Sequence, residues 1–341
     1  MATGDTNLTA TTREIWDSTV YEEVMFKLVL VRLLLERGQV LRAGTAIKHT
    51  LDYEELDALG QEYTENEPLS GGKRTVMETA QWYPKNFQLP IEVSAKSLGR
   101  NKGGGDGQII PLEERLVKKG HRAVKLWFNK VLWRAGASAR DAEAHKEWSG
   151  LLDALTHDIT YGGLTRATTV TRKYWQGASL ADTFADQATQ MVPTIANYRA
   201  CIDAVSAFTD TNTDLVAITS NTVFRNLQSQ IDGQRTYKEG KHAKYGFTSM
   251  DIDETEIFAE PWLTSNRNSA ASTTVKYFAM IHLPDWTLHL ENERKFGDFK
   301  GFVWQGQMQN QKDEWLGRLM LCGNLVCTQP NASIFKSNVT F

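Results

Sequence analysis

The sequence has no excess of charge of either sign and few cysteines. Its 38 Lys and Arg residues nearly balance 41 Asp and Glu residues, for a net charge of −3. A monomeric nucleic-acid-binding protein usually carries a strong positive excess, so the balance argues against that class. Only three cysteines are present, Cys201, Cys322 and Cys327. They are too few for a disulfide scaffold, and we expect them to behave as small buried hydrophobic residues.

Long apolar runs are also lacking. The most apolar stretch, residues 24–35, is interrupted by Lys27 and Arg32 and is far shorter than the ~20 residues that span a bilayer. The N-terminus is polar, so we expect no signal peptide and no membrane partner. What the chain does have is 341 residues, 41% of them hydrophobic, with ten tryptophans. That is enough to bury the cores of two or three domains.

The first half of the chain alternates between helical and extended patterns. Apolar residues at spacings of three and four predict an amphipathic helix that ends near Glu36. Residues 44–97 predict a long two-stranded excursion with a polar tip, which is marginally stable alone and should rest on another subunit. A long helix is predicted over about 111–134, because Pro111 suits the first helical position and acidic residues follow it. A second helix is predicted over about 139–158.

The second half begins with a further helix, broken near Pro193. A buried strand is then predicted at 214–219 and a capped helix at 222–231. The remaining predicted strands are long, and the C-terminal tail reads as polar. The strands are placed at 247–259, 275–290, 299–309 and 314–326, and the tail at 328–341.

No motif in the sequence specifies a catalytic, cofactor or metal site. The glycine-rich stretch 103–107 lacks dinucleotide-binding spacing and is better explained as a hinge. Asp251, Asp253 and Glu254 offer oxygen ligands, but a solvated acidic turn explains them more simply. The basic stretch 238–244 fits a phosphate contact, a solvated loop or a subunit contact equally well. We therefore expect no cofactor and no enzymatic activity.

Four local patterns resemble one protein family. Residues 214–227 (DLVAITSNTVFRNL) resemble the strand and capped helix of its axial domain. Residues 250–263 (MDIDETEIFAEPWL) resemble its hairpin ending in D-P-W-L, and residues 277–281 and 286–290 match the strand pair that follows. Residues 153–164, with Trp175 downstream, are similar to a segment of many tailed-phage coat proteins. The family is the tailed-bacteriophage major capsid protein with the HK97-type fold, an α+β architecture.

The resemblance implies a role for each part of the chain. It implies an N-terminal arm, an extended E-loop hairpin, a peripheral domain with a long spine helix, an axial domain, and finally peripheral-domain strands with a C-terminal tail. These fall at 1–43, 44–97, 98–192 (spine helix about 111–134), 193–260 and 261–341. A cleaved N-terminal scaffolding region has no room before the E-loop, so a separate scaffolding protein, or none, is implied.

The implied function is that of a virion coat protein, assembled in the host cytoplasm. Hexamers and pentamers would form a head shell around double-stranded DNA, without sequence-specific binding, with scaffolding, portal and decoration proteins as possible partners. We expect Trp16 and Trp82 at subunit interfaces, since they lie on elements that should have no core of their own. We also expect Lys73 there, because it lies at the tip of the excursion. The alternatives are an encapsulin-like nanocompartment shell protein and, less favoured, an enzyme of unknown type.

Overall fold

A computed structural model gives the fold, and it describes the chain in segments. The described residues are 28–36, 39–41, 46–52, 77–94, 96–97, 112–134, 136–138, 140–157, 159–166, 175–178, 191–209, 214–231, 249–261, 277–291, 303–305, 314–336 and 339. Of the residues singled out in the sequence, Trp16, Lys73, the glycine stretch 103–107 and the basic stretch 238–244 lie outside these segments.

Five α-helices occur among the described residues, and the longest confirms its prediction. They are α1 Val29–Glu36, α2 Leu112–Leu132, α3 Leu151–Leu155, α4 Ile195–Ser206 and α5 Asn221–Ile231. Helix α2 lies within the predicted span 111–134. Helix α4 begins after Pro193, where the side chain of Thr194 accepts a hydrogen bond from Asn197 N–H as an N-cap. No described helix is both long enough and apolar enough to cross a membrane.

Twelve strands occur among the described residues. They are β1 Gln39–Leu41, β2 Ile47–Asp52, β3 Met77–Trp82, β4 Lys85–Ser94, β5 Leu215–Thr219, β6 Ser249–Ile252, β7 Thr255–Ala259, β8 Phe278–His282, β9 Trp286–Glu291, β10 Val303–Gln305, β11 Glu314–Cys327 and β12 Ile334–Lys336. They form two five-stranded sheets and the separate antiparallel pair β2–β3.

The first sheet is built on the long strand β11. Its order is β1-β9-β11-β10, with β4 also paired to β11. Strand β9 runs antiparallel to β11, with Leu288 opposite Leu325. The predicted C-terminal strand at 314–326 is thus confirmed, and it organises this sheet.

The second sheet has the order β12-β8-β5-β7-β6. All five residues of its central strand β5 are buried, as the continuous apolar run LVAIT predicts for a strand covered on both faces. Strands β6 and β7 form a hairpin whose turn residues, Asp253 and Glu254, both have positive φ. That conformation gives the tight turn whose twist matches a hairpin.

The continuous strand that alternation predicts at 275–290 is wrong, whereas the strand pair that the resemblance implies at 277–281 and 286–290 is confirmed. The chain leaves β8 at His282, makes a 3₁₀ turn through Leu283–Asp285, and enters β9 in the other sheet. Pro284 has no N–H to donate to a ladder, and the Asp285 carboxylate lies 2.7 Å from His282 Nδ1 across the turn. His282 and His289 therefore lie on different strands, in different sheets.

The predicted helix at 139–158 is also wrong, apart from the short helix α3. Residues 140–144 form turns instead, and residues 145–150 are not helical. The carboxylate of Asp153 accepts hydrogen bonds from the backbone N–H groups of Gly150 and Ala137, at 2.7 and 2.9 Å. Such side-chain-to-backbone bonds offer the chain an alternative to the helical ladder.

The polar C-terminal tail is more buried than its composition predicts. Residues 332–336 are all buried, and β12 pairs antiparallel with β8. The predicted domain boundary at residue 260 therefore runs through the second sheet, because β8 and β12 join β5 there.

The chain divides into two compact units. The first comprises 1–25, 89–122 and 302–319, and its described part contains the end of β4, the first half of α2, β10 and the start of β11. There Val303 pairs with Arg318, and Gly120 of α2 lies close to Ile91 and Leu319.

The second unit comprises 26–88, 123–301 and 320–341. It contains two buried apolar clusters. The larger draws on α1, β9, the end of α2 and the aromatic residues Trp82, Trp148, Tyr161 and Trp175. The smaller packs α4 and α5 around β5 and includes Cys201. All three cysteines are buried thiols outside any disulfide, as the sequence predicts.

Candidate functional site

The root of the predicted excursion is the antiparallel pair β2–β3. Ile47 is opposite Trp82 at one end, and Asp52 is opposite Met77 at the other. Residues 53–76 therefore connect two positions, Asp52 and Met77, that are paired across the β2–β3 ladder. The strands predicted on either side of the excursion tip are confirmed, and Met77, beside that tip, is 57% exposed.

Trp82 anchors this root within its own chain. Its side chain is 0% exposed, and its ring lies 5.5 Å from that of Tyr161 and 6.2 Å from that of Trp175. The interface role was expected on the premise that Trp82 has no core of its own, and that premise is wrong. The tryptophan contributes to folding of the subunit, because its entire surface is already covered.

Two glycines allow the chain to approach β3 closely. Gly162 and Gly163 have φ of +63° and +75°, a conformation that side chains with a Cβ rarely adopt. A Cβ on Gly162 would lie 2.8 Å from that of Ala80. The N–H of Gln81 donates to the carbonyl of Gly162 at 2.9 Å. The turn at Gly162 and Gly163 therefore packs directly against β3 and supports the excursion root. We call this turn the seat.

Two buried carboxylates hold this seat in place. Asp141 accepts a hydrogen bond from Gly163 N–H at 2.7 Å, and its backbone carbonyl accepts one from Tyr83 N–H at 3.3 Å. Asp153 accepts from Arg140 Nη1 at 2.7 Å besides its backbone donors. Burial raises the pKa of both carboxyls, and the hydrogen bonds from backbone N–H groups oppose that rise.

Arg166 connects the same loops through hydrogen bonds to their backbone carbonyls. Its guanidinium donates to the carbonyls of Ile159 at 2.7 Å, Asp153 at 2.5 Å, Trp175 at 3.3 Å and also Ala154. It also lies 5.3 Å from the Tyr161 ring centroid. Burial lowers its pKa to about 10, so it stays charged at neutral pH. A cation held by backbone carbonyls fixes loop geometry rather than performing chemistry.

Lys85, the first residue of β4, completes the seat. Its ammonium donates to the carbonyls of His145, at 2.7 Å, and Ala142. Desolvation lowers its pKa, and the nearby carboxylates of Asp141 and Glu143 oppose that shift. The charged groups of this region are thus used to fix backbone turns. Asp153 and Tyr161 belong to a motif quoted above, but the roles of Lys85, Asp141 and Arg166 were missed because their partners are backbone atoms distant in sequence.

The end of the predicted arm is fixed by a buried glutamate. Helix α1 begins at Val29, and the N–H of Leu30 donates to Glu260 Oε2 at 3.5 Å. Glu260 follows β7 and is 0% exposed. Burial raises its pKa to about 8, although its interactions with Leu30, Asn129 and Val29 oppose the rise. At neutral pH the carboxyl is therefore mostly protonated at the start of the helix.

The acidic turn after β6 behaves as a solvated turn. Asp253 and Glu254 are exposed, and Asp253 forms an exposed ion pair with Arg199 at 2.6 Å. Within the described segments, no group of three or more His, Cys, Asp or Glu side chains is placed to hold a metal ion.

Comparison with solved structures identifies the fold. No protein-family model matches the chain, and no curated protein does. The capsid asymmetric unit of cyanophage A-1(L) matches with a TM-score of 0.69 at 15% identity, covering 98% of this chain and 100% of that one. The capsid asymmetric unit of cyanophage Pam1 matches at 0.55 and 11% identity, covering 96% and 97%.

A shell protein of another kind is also similar. The SrpI encapsulin complex from Synechococcus elongatus PCC 7942 matches with a TM-score of 0.54 at 9% identity, covering 99% of this chain and 96% of that one. All three likenesses extend over nearly the full length of both chains. The predicted fold is confirmed: the chain has the α+β, HK97-type capsid fold.

Proposed function

We propose that the chain is the major capsid protein of a double-stranded DNA phage. The observation that carries the proposal is the match to the cyanophage A-1(L) capsid, which spans 98% of this chain and 100% of the other at a TM-score of 0.69. Agreement over both full lengths means that the two chains share a whole architecture rather than one common substructure. The protein would then reside in the virion capsid, after assembly in the host cytoplasm.

The anchored excursion root supports a role in assembly. A shell joins many moderate interfaces by symmetry, and extended elements reach neighbours that a compact domain cannot. The seat around Trp82, Gly162 and Arg166 holds β2 and β3 firmly, so residues 53–76 start from a fixed base. We infer that 44–97 is the E-loop of the fold and that its residues 53–76 contact an adjacent subunit in hexamers and pentamers.

Two of the expected interface residues remain part of this proposal. Trp16 would lie on the N-terminal arm and Lys73 near the tip of the E-loop, where each meets a neighbouring subunit. We further propose that 98–192 and 261–341 contribute to a peripheral domain and 193–260 to an axial domain, with β8 and β12 completing the axial sheet. Scaffolding, portal and decoration proteins are the further partners of such a shell, and its DNA would be enclosed without sequence-specific contacts.

A nanocompartment shell is the second candidate, because the encapsulin match covers 99% of the chain. The phage assignment is preferred on the higher TM-score, 0.69 against 0.54. In either case we infer a structural and not a catalytic role. The buried charged groups around the excursion root, Lys85, Asp141 and Arg166, form hydrogen bonds with backbone atoms. We therefore assign them a structural role and no role in catalysis.

Electron microscopy of the purified full-length chain tests the proposal. We expect closed shells, either on concentration or after coexpression with the genes that neighbour it in its genome. Shells purified from the natural source should contain double-stranded DNA. Shells filled with a protein cargo would favour the encapsulin alternative. A chain that stays monomeric at high concentration, and also when coexpressed with those genes, would contradict both.

A further inference from the structure

The connection between β3 and β4 is a bend of two residues, Tyr83 and Pro84. Proline fixes its own φ and disfavours the helical region for the residue before it, so the bend has few accessible conformations. Both backbone polar groups of Tyr83 are bound by residues that are distant in sequence. Its N–H donates to the carbonyl of Asp141 at 3.3 Å, and its carbonyl accepts a hydrogen bond from Asn324 Nδ2 at 3.0 Å. Outside contacts therefore fix the point at which the excursion root turns into the first sheet.

Asn324 is itself held in one orientation. It lies on β11 opposite His289 of β9, and its side chain is 0% exposed. Its Oδ1 accepts hydrogen bonds from the backbone N–H groups of Ser149 at 2.9 Å and Leu325 at 3.0 Å. The amide oxygen thus faces two donors and the amide nitrogen faces the carbonyl of Tyr83, an arrangement that a flipped amide could not satisfy. A side chain fixed in this way can transmit the position of the sheet to the bend.

The contacts on either side of Trp82 define the direction of β3. Burial of the Trp82 ring is a non-directional interaction, whereas a hydrogen bond weakens steeply as it bends. Gln81 is held by its bond to Gly162, and Tyr83 is held from the other side. Two fixed points set a direction, and loss of one leaves a pivot. The five residues from Trp82 to Met77 span ~17 Å, so a tilt of ~10° at the bend moves Met77 by ~3 Å.

We propose that Asn324 is a positioning residue for assembly, which holds the Tyr83–Pro84 bend so that the excursion leaves the subunit in one direction. This inference rests on the proposed function, since it assumes that residues 53–76 contact a neighbouring subunit. Binding elements must be held within about 10–20° of their productive geometry by supporting side chains. Asn324 is fully buried, so it acts on the neighbour only through Tyr83. In a symmetric shell the same direction is required of every copy.

A distance measurement separates positioning from a contribution to stability alone. Spin labels are attached to cysteines in the otherwise wild-type, full-length, unassembled chain, at Met77→Cys and Lys130→Cys. Both positions are exposed and belong to the same compact unit. The native cysteines are buried and do not compete for the label. Pulsed electron paramagnetic resonance then gives the distribution of distances between the end of β3 and helix α2.

Two substitutions remove the link from Asn324 to the bend. Asn324→Leu keeps a similar volume but makes none of the hydrogen bonds. Asn324→Ser leaves room for a water, which can satisfy the backbone groups without a fixed geometry and so keeps the folding cost smaller. We expect the mean distance to shift, or its distribution to broaden, by ~3 Å. If the leucine variant does not fold by circular dichroism, the serine variant decides the outcome.

Two controls report on hydrogen bonding and on stability elsewhere in the unit. Gln230 also bridges two backbone groups, since it accepts from Ile195 N–H at 3.2 Å and donates to the Pro193 carbonyl at 2.8 Å, and Gln230→Leu removes that bridge. Val205→Ala opens a cavity in the smaller apolar cluster and lowers stability without touching the bend. Both should keep the wild-type distance distribution. An unchanged distribution in a folded Asn324 variant would overturn the inference, as would an equal change in either control.

The same substitutions without spin labels are then compared for shell formation by electron microscopy, under conditions in which the wild type assembles. The Asn324 variants should lose closed shells, and the two control variants should keep them. Normal shells from a variant with an altered distance would reject the assembly role of Asn324 and leave the capsid proposal intact. The distance measurement needs no shell. A wild-type chain that never assembles would therefore reject the capsid function, and the assembly role with it, while the effect of Asn324 on direction would stand.

Discussion

Replacing Glu260 by glutamine should stabilise the subunit, and the gain should grow with pH. Burial places the folded-state pKa at about 8, against 4.5 for an ordinary glutamate. The folded state binds the proton of Glu260 more tightly than the unfolded state does. The contribution of this proton to the free energy of unfolding is therefore fully present below pH 4.5, and it is lost as the pH rises towards 8.

The size of the effect follows from the two pKa values. Between these values the unfolded state is ionised and folding must bind a proton, so each pH unit lowers the free energy of unfolding by about 1.4 kcal/mol. At pH 7 the wild-type subunit is therefore about 3 kcal/mol less stable than one with a permanently neutral side chain at this position. Glutamine cannot ionise, yet its carbonyl oxygen can still accept the hydrogen bond from Leu30 N–H. The variant should match the wild type near pH 4.5 and exceed it by roughly that amount at pH 7.

Urea unfolding of the unassembled chain, followed by tryptophan fluorescence at pH 5, 6, 7 and 8, measures this difference. Glu92→Gln is the control, since Glu92 is exposed on β4 and the charge change is the same. Its curve should run parallel to that of the wild type. The reasoning is refuted if the Glu260→Gln curve also stays parallel to the wild type from pH 5 to 8.

The other predictions concern the excursion and its root. Trp82→Ala should lower the free energy of unfolding by about 3–5 kcal/mol, because it empties a fully buried site between Tyr161 and Trp175, and Trp82→Phe should lower it less. A loss below 1 kcal/mol in urea unfolding would contradict the burial of that ring. Deletion of 61–74 should leave a folded subunit by circular dichroism but impair shell formation, because Asp52 and Met77 stay paired across the gap. Normal particles from that deletion, seen by electron microscopy, would reject the E-loop assignment.

Sequence patterns predicted the elements whose own side chains decide their structure. Helix α2 was predicted from Pro111 and the acidic residues that follow it, and strands β5 and β11 from their apolar runs. These signals are local, so the sequence contains them directly.

The errors arose where a contact distant in sequence decides the outcome. Residues 278–290 keep an alternating pattern across Pro284, yet β8 and β9 join different sheets, and nothing local specifies that separation. The burial of Trp82 depends on Tyr161 and Trp175, which lie some 80–90 residues further along the chain. An aromatic residue on an extended strand has the same sequence signature whether it packs within its subunit or against another.

The pairing of Asp52 with Met77 also determines how the chain tolerates changes in length. The β2–β3 ladder holds the ends of residues 53–76 side by side. The number of residues between those ends therefore has little effect on the packing of the rest of the subunit. Doubling the length of a flexible closed segment destabilises a fold by only ~0.6 kcal/mol. Insertions and deletions at this point are therefore nearly neutral for folding, and any selection on the length of the segment must come from its neighbours.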